Sequence, residues 1–212
     1  MNRATRGRAG KALVAAAMVC GFAAEVRAAP PEAGPIEWSA GVSYLEPGLG
    51  DFDVYDDGVG LEVQCRYWLW DVHGLAFSLG MERWDARSDG NDWAAEPSGS
   101  LDMVSFGVSW VGLIFESEKD LWTVEGGLRY HVADSDMKIR VGDRKHKVDI
   151  DDGLTGLVAL GYERRLSESF SVGVALSYQP DLIEGEASFD GGKLRDNKLE
   201  AWGIQLALRW RL

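Results

Sequence analysis

The stretch AWGIQLALRWRL, Ala201 to Leu212, alternates without a break. Trp202, Ile204, Leu206, Leu208, Trp210 and Leu212 fall on one face; Gly203, Gln205, Ala207, Arg209 and Arg211 fall on the other. Alternation with period two marks a strand with two unlike faces. The apolar face carries Trp near both ends, and the second face carries only small, polar or charged residues. A frayed tail is the usual expectation for a terminus, so a strand running to Leu212 implies a partner that holds it there.

Upstream, seven more segments repeat this pattern and none reads as a long amphipathic helix. They lie near Ile36–Leu45, Val59–Trp70, Leu75–Trp84, Met103–Phe115, Leu121–Val132, Leu154–Leu166 and Phe170–Gln179. Each has about the ten residues that a tilted membrane strand requires. The gaps alternate. Asp71–Gly74, Glu116–Asp120 and Ser167–Ser169 are short, whereas Glu46–Gly58, Asp85–Leu101, Ala133–Gly153 and Pro180–Lys198 are long. In an up-and-down meander all short turns then fall at one end and all long loops at the other, as in outer-membrane barrels.

The faces predict which side meets lipid. The apolar face is nearly free of charge, with Arg83 and Arg164 as exceptions at strand ends. The other face holds Glu62, Arg66, Glu82, Glu125, Arg129, Glu163, Arg165, Arg209 and Arg211 among small residues. A soluble ligand-binding barrel has the reverse arrangement. Aromatics sort to the strand ends of the apolar face: Trp38, Tyr67, Trp122, Tyr162, Phe170 and Trp210 toward the short turns, and Tyr44, Tyr130, Tyr178 and Trp202 toward the long loops. Two interfacial girdles are expected of a membrane barrel. The fold expected is therefore all-β, a single eight-stranded antiparallel transmembrane β-barrel. Its last strand closes on its first, because an open edge is not tolerated in lipid.

Segments such as VEGGLRYHV (Val124–Val132) and GLVALGYERRLSESFSVGVALSY (Gly156–Tyr178) carry a family likeness. From Ile36 to Leu212 the chain resembles the eight-stranded outer-membrane barrels: the transmembrane part of outer-membrane protein A, the outer-membrane protein X group and the opacity-type proteins. The resemblance implies insertion by the barrel-assembly machinery through the C-terminal strand, where Leu212 stands in place of the usual Phe. It also implies a non-catalytic role in envelope integrity, with the long loops meeting an extracellular partner.

The other end of the chain fits export. Arg3, Arg6, Arg8 and Lys11 precede the short apolar run Ala12–Ala24, and Ala28 offers a small residue at a cut. Residues 1–28 read as a secretory signal peptide, 29–35 as a periplasmic linker and 36–212 as the barrel of the outer membrane. Taking the leader's net +4 from the chain's −12 leaves −16. So acidic a protein is a poor nucleic-acid binder. Only Cys65 remains after cleavage, so no internal disulfide is expected.

Eight strands leave an interior filled by side chains, where isolated charges are costly. The inward charges are expected to pair: Arg66 with Glu163, Glu125 with Arg66 or Arg209, and Glu62 or Glu82 with Arg129. An ionic plug is the expectation; a narrow, porin-like channel for ions or small solutes is the alternative. A lipid A-modifying enzyme, the second alternative, needs a base beside a nucleophile. None of the three histidines is so placed by sequence: His73 lies in a turn, His146 in the basic run RKHK, and His131 is expected at a solvated rim. No catalytic residue and no cofactor are assigned. The acidic stretch DARSDGNDWAAE, Asp85–Glu96, partly matches a calcium loop, but Arg87 stands where an oxygen ligand belongs, and a solvated loop is expected. MKIRVGDRKHKVDI, Met137–Ile150, predicts a hairpin above the bilayer, with an edge open to strand addition.

Overall fold

The computed structural model describes residues 36–48, 55–87, 95–141, 144–180, 184–189, 192–198 and 200–211. The predicted leader and linker, most of Asp85–Glu96 and Leu212 lie outside them. Thirteen strands follow in order: β1 (Ile36–Pro47), β2 (Tyr55–Trp70), β3 (His73–Ala86), β4 (Ala95–Ser98), β5 (Ser100–Glu116), β6 (Asp120–Ser135), β7 (Lys138–Val141), β8 (Arg144–Ile150), β9 (Gly153–Arg165), β10 (Phe170–Gln179), β11 (Glu184–Phe189), β12 (Gly192–Lys198) and β13 (Ala201–Arg211).

Eight of them close an antiparallel barrel in the order β1-β13-β10-β9-β6-β5-β3-β2. The closing pair sets Trp38 against Trp210 and Val42 against Leu206. The quoted C-terminal stretch is thus paired on both sides, with β1 and with β10. Alternation along the strands makes the molecule inside-out. Among the described residues, thirty large apolar side chains are exposed and twelve apolar ones are buried. Val42, Leu61, Phe77, Val108, Leu128, Val158, Val174 and Leu206 form the exposed belt, whose burial requires lipid. The fold is a single transmembrane barrel.

Aromatics frame the belt. At the short-turn end Trp210 is paired with both Trp38 and Phe170, and the rings of Trp122 and Tyr162 lie 5.0 Å apart. At the long-loop end Tyr178 and Trp202 stack at 4.6 Å. Arg83 pairs there with Asp85 and Asp102 (3.8 and 3.7 Å), and at the opposite end Arg164 pairs with Asp120 at 3.2 Å. Both arginines are exposed, which is how a charge at the margin of the apolar face reaches water.

Three of the long connections are not loops. β4, β7, β8, β11 and β12 form a second sheet in the order β12-β11-β8-β7-β4. These strands adjoin β5, β6, β9, β10 and β13 in sequence, and their order in the sheet repeats the barrel order of those five. The second sheet is a wall that continues five barrel strands beyond the rim, while β1, β2 and β3 stop near it. Short interruptions separate wall from barrel, and side chains tie them down. Asp136 accepts the Ser100 amide at 2.6 Å, and Asp152 accepts the Ala133 amide at 3.0 Å. Gly99 supplies a positive φ of 107°, which an L side chain rarely adopts. The Met137–Ile150 segment does form the hairpin β7–β8, but it offers no edge. β7 is paired with β4 and β8 with β11, so the wall's edges are β4 and β12.

Candidate functional site: the barrel interior

Glutamate and arginine at every second position of a barrel strand project into the lumen, and the register brings different strands to one level. Near the short-turn end Glu163 accepts from Arg66 at 3.2 Å and also from Arg209. Arg66 reaches Glu37 at 3.8 Å and lies 5.5 Å from the centre of the Trp68 ring. Arg211 donates to Glu37 at 2.6 Å, and Arg165 pairs with Glu116. Higher up, Arg129 is paired with Glu62 and lies 3.7 Å from Glu82. The barrel packs closely around this second group. A Cβ on Gly107 would collide with Ser78 Oγ and lie 3.6 Å from Arg129 Nε.

The structure thus brings Arg66 to Glu163 and Arg129 to Glu62 and Glu82. Glu125 differs from expectation. It accepts from Gln64 Nε2 at 3.2 and 3.3 Å and from Ser109 Oγ, and no guanidinium hydrogen bond to it is found among the described residues. Gln64 is the intermediary, since Arg209 donates to its carbonyl at 3.4 Å. Glu37 and Glu116 belong to the network although the sequence reading omitted them. The signal was available for Glu37, which alternates with Ile36 and Trp38. Glu116 follows a β-bulge between Leu113 and Phe115, and a bulge inverts the alternation that assigns a face.

His131 corrects a second expectation. It is fully buried rather than solvated at a rim, and neither ring nitrogen has a well-formed hydrogen bond. What covers the lumen above it is apolar. Leu45, Tyr55, Trp84, Leu101, Met103, Met137 and Ala201 form one buried cluster across the long-loop mouth, with Ile150 packed against it. Tyr55 comes from a segment read as a loop, and Met137 and Ile150 are the two ends of the segment read as a hairpin. At the opposite end Trp68, Ala76 and Val111 form a smaller cluster with Leu113. Between the clusters lies a cavity of about 70 Å³, lined by Glu62, Gln64, Arg66, Glu82, Glu125 and Arg129 among others. A polar space of that size is large enough for ordered water.

His73 packs against Trp110, with ring centres 5.3 Å apart, and His146 lies on β8 of the wall. The three histidines are therefore in three separate places. Groups of three or more His, Cys, Asp or Glu arranged to hold a metal are absent among the described residues.

No protein-family model matches the sequence, and no curated protein matches it. Solved structures do match by shape. The outer membrane protein OprG of Pseudomonas aeruginosa superposes with a TM-score of 0.61 at 14% identity, over 89% of this chain and 99% of that one. The outer membrane protein AlkL, determined in lipid bilayers, gives 0.56 at 13% identity over 89% and 95%. Ail, the attachment invasion locus protein of Yersinia pestis, gives 0.52 at 12% identity over 85% and 99%. These likenesses establish a common fold, that of a small membrane β-barrel.

Proposed function

We propose that this chain is a closed, non-catalytic barrel of the bacterial outer membrane, contributing to envelope integrity and presenting its wall outside the cell. Three things support the location. The exterior is an apolar belt with aromatic margins. The solved structures of the same shape include proteins described as outer-membrane proteins. The first 28 residues read as an export signal. On this reading the short turns face the periplasm, the wall stands outside, and the barrel-assembly machinery acts on the C-terminal strand.

One observation carries the non-conducting reading. The lumen is crossed by ion-paired side chains and is covered at its outer mouth by an apolar cluster that includes Trp84 and Met103. A charged solute would have to displace both, and an apolar constriction opposes wetting. The test is conductance of the purified full-length protein in a planar bilayer. Its folded state is checked by the change in gel mobility on boiling in detergent. A mobility shift with no unitary conductance is the expected result. Regular unitary steps would make the chain a narrow channel, and hydrolysis of purified lipid A would make it an enzyme. An absent shift together with recovery in the soluble fraction would refute the barrel's membrane setting.

A further inference from the structure

His131 lies between two unlike layers of the lumen. It is the next inward position beyond Arg129 on β6, and Arg129 is held there by Glu62 and Glu82. The register sets His131 opposite Ser105 of β5 and Gly153 of β9, and Ser105 opposite Gly80 of β3. Toward the long loops, the next inward positions on β3 and β5 are Glu82 and Met103, then Trp84 and Leu101. Trp84, Leu101 and Met103 belong to the mouth cluster. His131 is 0% exposed. Gln179 approaches both its ring and Glu82, and Trp84 approaches Glu82. Even so, both ring nitrogens, Gln179 Oε1, Glu82 Oε2 and Trp84 Nε1 are buried without a well-formed hydrogen bond.

Sealing alone does not favour imidazole here, because a buried polar group short of partners costs more than an apolar one of equal size. What imidazole adds is a charge that appears on mild acidification. The surrounding groups determine what that charge does. Arg129, on the same strand, is like-charged. β5 and β9 offer the neutral Ser105 and Gly153, and β10 offers the neutral amide of Gln179. Glu62 on β2 and Glu82 on β3 are the carboxylates of this level, and both are engaged by Arg129. β1 and β13 bring Leu45 and Ala201 to the mouth cluster, and β2 brings Tyr55, a phenol that stays neutral in acid. An imidazolium in the closed mouth therefore has a guanidinium beside it and no water, whereas in an open mouth it is hydrated.

We propose that His131 is an acid-operated latch on the long-loop mouth: with its imidazole neutral the apolar cluster closes the lumen, and with its imidazolium the mouth opens and wets. The proposal rests on the closed-barrel reading above, which describes the neutral state. Opening at this level joins outside water to the cavity lined by Glu82, Arg129 and Gln179. The proton binds the open, hydrated state more tightly, and a ligand shifts an equilibrium by its differential affinity. One such site multiplies the open-to-closed ratio by up to roughly tenfold for each pH unit below about 6.5.

The test records unitary conductance of the full-length protein in planar bilayers at about pH 7.5 and about pH 4.5, on either side of the ordinary histidine value. Wild type is compared with His131→Phe and His131→Gln, neither of which takes up a proton at this position. The wild type is expected to be silent at the higher pH, to show unitary steps at the lower one, and to fall silent again on return to neutrality. Both variants are expected to stay silent at both values. Acid-induced steps in a folded variant equal to those of wild type would overturn the proposal, because Glu62 or Glu82 would then be the sensor. The boiling-dependent gel shift is measured on every sample, and Gln keeps a polar side chain at 131 if Phe prevents folding. Steps from wild type at neutral pH refute the closed-barrel reading. A wild type that is silent at both values with a normal gel shift refutes the latch alone.

Discussion

Replacing Arg129 with Met tests whether the lumen is held together by charge. The Arg129 side chain is 8% exposed, and its partners Glu62 and Glu82 are 11% and 5% exposed. At an effective dielectric near 20, each contact is worth about 4 kcal/mol of Coulomb attraction, most of which offsets the desolvation of the three groups. Met restores the packing volume but leaves two buried carboxylates facing each other, with Gln205 as a donor to Glu62 at 3.2 Å. Breaking a buried pair in this way costs about 3–5 kcal/mol. The expected outcome for Arg129→Met is a loss of that size. It is read from the urea dependence of folding into phospholipid vesicles, followed by tryptophan emission and by gel mobility. The triple variant R129M/E62Q/E82Q removes all three charges and should recover to within about 1 kcal/mol of wild type. A single variant within about 0.5 kcal/mol of wild type would refute the reasoning. So would a triple variant as unstable as the single one, because the cost would then be lost shape rather than unpaired charge.

Other consequences can be measured separately. Leu206 is 58% exposed on the lipid face, so Leu206→Arg should cost about 2–4 kcal/mol in vesicles, whereas the same change on a water-facing surface would leave the folding midpoint unmoved. Gly99→Ala places a Cβ 2.7 Å from Asp136 Oδ1 at a φ of 107°; about 1–3 kcal/mol of local strain should speed amide exchange at Ala86 and Ser100 and leave the barrel's gel shift intact. Cys65 is half-buried among Trp38 and Phe77 on the outer surface. It should react with a bilayer-soluble maleimide and resist a charged, impermeant one, and equal reaction with both would place β2 in water.

The barrel was legible because one periodicity serves all eight strands. Trp202 to Trp210 on one side of β13 and Gln205 to Arg211 on the other already separate lipid from lumen. Strand number, the ends at which short turns lie, and the meeting of Arg66 with Glu163 follow from that separation and from ring geometry. Alternation assigns a direction but not a depth, and this is why His131 was misjudged. Its inward direction is plain from Tyr130 and Val132, but its depth is not, because the mouth cluster that includes Tyr55, Trp84 and Met137 is assembled from distant segments. Of the wall only the β7–β8 hairpin was legible, and the rest was hidden for another reason. β4 has four residues and contains Pro97, and β11 pairs with β12 through a register shift. Such short or irregular strands owe their pairing to the barrel strands that lead into them rather than to their own propensity. Glu116 was lost at a bulge, where a single extra residue reverses inside and outside.

The seam between β1 and β13 governs how the molecule is made. Glu37 and Arg211 are partners across it although 174 positions separate them along the chain. Neither can find the other until β13 has been made, and both sheet edges stay unpaired meanwhile. The polypeptide must therefore be kept from collapsing until both strands are present. Local contacts cannot supply a stable halfway product, since the belt that lipid will cover is sticky in water. Release of any fragment lacking β13 would leave Glu37 without Arg211 and Glu163 without Arg209, an unzipped sheet with uncompensated carboxylates, suited to proteolysis and unsuited to insertion. Completeness of the barrel is checked by the same hydrogen bonds that close the ring.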